Sequence, residues 1–182
     1  MAFKVALDTN CLIDLEDNRP DARHIRALIA AWKKSQIELA IVAVSASENQ
    51  LSGKASQDFG AFEAKVDAIG LTGVQHLLPL AIWDVFYWDH ALWSSPEMQA
   101  LEQRIRAILF PGIATAPPAN VNENSVWRNH MCDVLVAWSC IHHGWESLVT
   151  RDKNFHDHKV ELAVLGLREV LCPADAARKY AP

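Results

Sequence analysis

The chain has no C-x-x-C pair. Its four cysteines, Cys11, Cys132, Cys140 and Cys172, are scattered, which is not the spacing of a zinc site or of a disulfide framework and leaves reduced, mostly buried thiols as the reading. No apolar run is long enough to span a bilayer. The N-terminus lacks the basic-then-apolar signature of a secretory leader, so a cytoplasmic protein with no membrane partner is expected. Neither G-x-G-x-x-G nor a P-loop occurs, which argues against nucleotide binding through a glycine cradle. Internal repeats and low-complexity tracts are missing as well. Positive charge is also short: 17 Lys and Arg stand against 22 Asp and Glu, a formal −5, which speaks against coating nucleic acid by bulk charge.

What is present is a hydrophobic fraction of 51% over 182 residues. That suffices for a single domain, 1–182, with a real core, and is short for two. Residues 3–8 read as a short buried strand, and Thr9 as the N-cap of a short helix whose Leu12, Ile13 and Leu15 face inward. Beyond Pro20, Ile25, Leu28, Ile29 and Trp32 recur at helical spacing, and "IELAIVAVS" is a second strand of the fully buried type. Strand, helix, strand in this order begins a parallel sheet with crossover helices. Later, "ENSVWRNHMCDVLVAWSCIHHG" reads as a helix stopped at Gly144 and "ESLVTRD" as a strand. "LREVLCPADAARKY" is a last strand and a helix opened by Pro173. The expected fold is therefore α/β, a three-layer α/β/α sandwich with a central, mainly parallel sheet of about five strands.

A longer helical and aromatic region runs from about 53 to 118. It holds the helix "PEMQALEQRIRAIL" and the stretch "AIWDVFYWDHALW", where Trp83, Phe86, Tyr87, Trp88 and Trp93 are five of the chain's fifteen aromatics. Trp83, Phe86, Tyr87 and His90 fall on one helical face, which suits packing onto the core or onto a second subunit; base stacking is the alternative.

Two strands end in a carboxylate, and a charged group there is costly unless it is paired or holds a metal. Asp8 ends the first strand and Asp152 follows the strand 147–150, at the sheet edge where ligands of open parallel sheets sit. Glu48 follows the second strand in "SASEN", and Asp133 lies inside the helix that precedes the Asp152 strand. Each acid has an ordinary reading. Asp8 and Asp152 suit helix caps, Glu48 closes a capping box with Ser45, and Asp133 has Arg128 and Asn129 one turn away. Gathered at one edge, however, the four would raise one another's pKa unless a hard divalent cation were shared among them. Such a cluster with one or two Mg²⁺ or Mn²⁺ ions activates a water and stabilises the leaving oxygen of a phosphodiester. Two ions would bring the net charge to about −1, so acidity is no obstacle to a nucleic-acid substrate. A haloacid-type phosphatase needs a second acid where this chain has Asn10. His142-His143 and His156-x-His158 lack zinc-site spacing and read as surface residues.

"LDTN" at a first strand, "VSASE" after the second, "MCDVLVAW" inside a helix and "LVTRDKNF" at a late strand resemble, in that order, the PIN-domain nucleases. The nearest likeness is to the VapC-type toxins of bacterial toxin–antitoxin pairs. The resemblance covers most of the chain and is weakest over 53–118. It implies a PIN-like fold with Asp8, Glu48, Asp133 and Asp152 as the catalytic, metal-binding set. It also implies hydrolysis of RNA by water to leave a 5′-phosphate and a 3′-hydroxyl, a homodimer, and for a toxin an antitoxin partner. Asn10 and Thr150 would support the site by bonding a carboxylate or a water on the metal, while Arg151 and Lys153, beside Asp152, would meet substrate phosphates. A structure-selective DNA nuclease, a stand-alone RNA-processing nuclease and a non-catalytic binding module are the alternatives. The chain departs from the pattern at Asn154, where a second acid is frequent, and at Trp138, where small residues are common. The separation of 85 positions from Glu48 to Asp133 also exceeds the gap in compact members.

Overall fold

The computed structural model describes residues 2–48, 59–82, 90–114 and 126–181, without the side chains of residues 47 and 48. The helical face read for Trp83, Phe86 and Tyr87 lies outside these residues. The strands are β1 Phe3–Leu7, β2 Ile37–Val42, β3 Gln75–Leu77, β4 Ser147–Val149 and β5 Glu169–Leu171. All pairings are parallel, in the order β3-β2-β1-β4-β5. The helices are α1 Thr9–Glu16, α2 Ala22–Lys33, α3 Ser45–Glu48, α4 Phe59–Ala68, α5 Pro96–Leu109, α6 Val126–His142, α7 Lys153–Asp157, α8 Lys159–Leu165 and α9 Pro173–Tyr180. Together they make the three-layer α/β/α sandwich.

Side chains alternate across the sheet because successive strand residues point to opposite faces. Val5, Leu7, Leu39, Ile41 and Val149 pack with α1, α2, α4 and α9. Ala6, Ala40, Val42, Leu148 and Val170 pack with α5, α6, α7 and α8. With both faces covered, a strand has no solvent side to mark in its sequence, and so β1 and β2 read as continuous apolar runs. On the second face the central strands carry alanine, and α6 brings the bulk: Trp138 is wholly buried there, its Nε1–H donating to the Met98 carbonyl at 3.0 Å. Small residues on the strands and a large one on the helix fill the layer to interior density.

Chain order places the site. The strands step outward from β1 through β2 to β3, and the chain then returns to the far side of β1 for β4 and β5. The reversal makes the carboxyl ends of β1 and β4 the candidate crevice, since open parallel sheets take their ligands at such a switch point. Leu7 pairs with Val149, so Asp8 lies beside Thr150. Helix α6 runs back against the strands and joins β4 through Gly144, which takes φ 69° as the turn requires.

Two details differ from the sequence reading. Asp8, not Thr9, caps α1: it is extended (φ −78°, ψ 161°) and its carboxylate accepts the Thr9 N–H. A carboxylate outcompetes a hydroxyl as acceptor at the positive end of a helix. Strand β3 has no apolar run to announce it, because it is a three-residue strand at the sheet edge with Gln75 exposed. Among the described residues no helix is long and apolar enough to cross a membrane.

Ala40 is wholly buried at the centre of the α6 layer. Ala40→Leu is expected to cost about 1–3 kcal/mol by overpacking, read as a lower urea midpoint with unchanged slope.

Candidate functional site

The site begins at Asp8, which is 5% exposed. Its backbone N–H donates to the Val149 carbonyl at 3.0 Å and carries the β1–β4 ladder one residue past the strands. Its Oδ1 accepts the Thr9 N–H at 2.7 Å, and its Oδ2 accepts the Thr150 hydroxyl at 2.5 Å and the Asn10 side-chain amide. The same Asn10 amide reaches Thr150 Oγ1 at 2.8 Å, while Asn10 Oδ1 accepts the Arg151 N–H at 3.1 Å. Thr150 Oγ1 also accepts the Asp152 N–H at 3.0 Å. One carboxylate thereby ties the end of β1 to the turn after β4, with the Asn10 amide and the Thr150 hydroxyl both bonded to it.

Burial pushes the Asp8 carboxyl from 3.8 up to about 6. Hydrogen bonds from Thr150, the Thr9 N–H and Asn10 pull it back, and the charge of Asp152 pushes it further up. Asp152 is half-buried at the start of α7, where its Oδ1 accepts the Asn154 N–H at 2.7 Å. The two strand-end acids therefore share one electrostatic environment.

Asp133 is the one half-buried residue in the otherwise buried run 131–140 of α6. It shares a helical face with Cys140, seven residues on. Burial, and after it the Asp8 charge, hold the Cys140 thiol well above its usual range, so this face of α6 looks toward β1. Among the described residues no group of three or more His, Cys, Asp or Glu side chains lies close enough to hold a metal ion. Asp8 and Asp152 are brought together; Asp133 does not close a three-acid group with them. The backbone of Glu48 ends α3, and its side chain lies outside the described residues.

The flanking cations are engaged elsewhere. The Arg151 guanidinium grips Asp14 with two bonds of 2.7 Å from Nε and Nη2, and Asp14 is wholly buried. Lys153, strongly exposed, pairs with Asp157 one turn on at 3.1 Å. Arg151 thus anchors α1 to the β4 turn.

Several contributors escaped the sequence reading. Asp14 is one turn beyond Asn10 on the inward side of α1, a spacing that marks it only in hindsight. Thr9 Oγ1 donates to Ser45 Oγ at 2.8 Å and joins the start of α1 to the start of α3. The histidines read as surface residues are held: Nε2 of His156 donates to the Thr150 carbonyl at 3.0 Å, Nε2 of His143 to the Leu78 carbonyl at 2.9 Å, and His158 bonds the Asn154 carbonyl. His142 stacks on Trp138 with ring centroids 4.4 Å apart.

Two stability measurements follow. Because the folded pKa of Asp8 lies above its unfolded value, the native state holds the extra proton between about pH 4 and pH 6. In EDTA, stability should fall by roughly 3 kcal/mol as pH rises through that window and level off above it. Urea midpoints of Asp8→Asn should lack this segment of the pH profile. Arg151→Met strands the buried Asp14 charge, with Arg19 at 3.9 Å the one cation left beside it among the described residues, and should cost roughly 2–3 kcal/mol; the Asp14→Leu/Arg151→Met double variant should recover most of that loss.

No protein-family model, no curated protein and no solved structure matches the chain.

Proposed function

We propose that the protein is a metal-dependent endoribonuclease of the PIN-domain kind. The observation that carries this reading is the pair Asp8 and Asp152 on either side of the crevice at the carboxyl ends of β1 and β4, with Asp8 buried yet held by three donors. Burial and a neighbouring acid both oppose its ionisation, and a divalent cation would relieve both penalties at once. The donor set fits Mg²⁺ or Mn²⁺: hard oxygens, and two carboxylates, which is the usual protein contribution when substrate phosphate supplies further ligands. Asp8 and Asp152 would hold the ion; Asp133, on the neighbouring helix α6, stands outside their group. When bound, the ion would offset phosphate charge and lower the cost of activating a water.

The remaining work falls to the chain itself. Asn10 and Thr150 fix the Asp8 carboxylate in one orientation and so fix where a phosphate can approach. The helix start at α7 presents Asp152 to the same crevice. In the reaction a water oxygen bonds to phosphorus, the bond to the 3′ oxygen breaks, and that oxygen takes up a proton. The products carry a 5′-phosphate and a 3′-hydroxyl.

Purified protein incubated with mixed structured RNAs and matched DNAs, in Mg²⁺, Mn²⁺ or EDTA, tests the reading. RNA should be cut only with metal, and Asp8→Asn and Asp152→Asn should reduce cutting to background. Thr150→Val should cost about 10–100-fold in rate, the usual penalty for a residue that orients a metal ligand. Cutting that survives EDTA, or that both acid variants retain, would overturn the proposal; preferential cutting of DNA would reassign the substrate.

A further inference from the structure

A cavity of about 590 Å³ lies between the end of α5 and the start of α6. Leu109, Phe110, Ile113, Val126, Trp127 and His130 line it, and among the described residues its lining carries no Lys, Arg, Asp or Glu. It is linked to the acid edge in two ways. The Asn154 side-chain amide donates to the Leu109 carbonyl at 3.1 Å, and the backbone N–H of the same Asn154 is bound to Asp152. On α6, His130 is one turn, about 4.5 Å of rise, before Asp133.

The walls are built in advance. Phe110 and His130 stack nearly parallel, centroids 3.9 Å apart and planes at 16°, and both rings are half-exposed. Trp127 is fixed by its Nε1–H on the Ala114 carbonyl at 2.9 Å. Arg106 Nη1 donates to the Ile113 carbonyl at 3.3 Å while its Nε is held by the buried Glu102 at 2.8 Å. The chain thus spends a buried ion pair on the shape of this loop.

We propose that the cavity is a subsite for an unpaired nucleobase, which stacks on the Phe110–His130 platform while its backbone phosphate lies at the acid edge. The proposal rests on the nuclease reading and narrows its substrate to single-stranded or looped RNA. A cavity lined by aromatic rings, with no Lys, Arg, Asp or Glu in its described lining, suits the π-face of a base better than a phosphate, and Asn154, bonded to both Leu109 and Asp152, sets the two sites side by side. Paired bases are stacked on one another and are not free to enter. The aromatic pair proposed here is drawn from two helix ends, outside the stretch 83–93 that the sequence made conspicuous.

The probe is hexauridylate, compared with an abasic ribose-phosphate hexamer of equal charge, each titrated against the Asp152→Asn protein by fluorescence anisotropy in Mg²⁺. Stacking is worth roughly ten- to a hundred-fold per base, so hexauridylate should bind tighter by about that factor. His130→Ala on the same background should erase most of the difference, and His130→Phe should retain it, with urea midpoints confirming that each variant folds. If His130→Ala fails to fold, quenching of 2-aminopurine in a single-stranded hexamer bound to the Asp152→Asn protein reads the stack directly, and no quenching overturns the proposal. Equal binding of the two hexamers also overturns it, and leaves the nuclease reading intact provided metal-dependent cutting still requires Asp152. Absence of binding by either hexamer, together with no cutting by the unaltered protein, removes both.

Discussion

The Asp8 carboxylate must be buried where β1 ends, and the surrounding chain is arranged to make that tolerable. A buried charge without donors would cost several kcal/mol. Here a helix start, an amide two residues on and a hydroxyl from the turn after β4 all point at it. These bonds do double duty. They hold β1 and β4 in register past the last ladder bond, at the place where the strand order reverses, and they leave a carboxyl whose ionisation is still opposed by burial and by Asp152. A group in that condition favours a cation over water, and for this reason a structural necessity also reads as a site.

Arg151 follows the same logic from the other side. Its guanidinium sits next to the crevice, yet it is spent on Asp14, a second buried acid, with bidentate geometry. The edge of the sheet consequently keeps its negative character, which suits a cation and would repel bare phosphate. The neighbouring cavity has a different character: its described lining is aromatic and aliphatic, with no Lys, Arg, Asp or Glu. The acid edge lies on β1/β4 and the aromatic cavity on α5/α6, with Asn154 bonded to both.

Helix α6 connects these regions. Its burial against Ala6 and Ala40 fixes its height over the sheet, so Asp133 and His130 are positioned by core packing rather than by local loops. Rigid elements hold such groups more closely than loops do. The large Trp138 is accommodated by small strand residues in the same layer and by its bond to Met98.

What the sequence determined is what depends on neighbours along the chain. The apolar runs of β1 and β2, the helical periods of α2, α5 and α6, the glycine stop at Gly144 and the proline start at Pro173 are local signals, and the strand-end acids stand out because each breaks such a run. The architecture followed from their order. Strand β3 was not legible, since an edge strand of three residues buries too little to impose a pattern. The capping of α1 by Asp8 depended on which of two adjacent acceptors is stronger in place. The partners were decided by tertiary structure alone: Thr150 meets Asp8 across 142 positions and Arg151 meets Asp14 across 137, while Phe110 and His130 meet only because α5 and α6 pack side by side. Periodicity records which face of an element is buried, but not which distant residue waits there, and the chemistry of this site is made of such distant pairs.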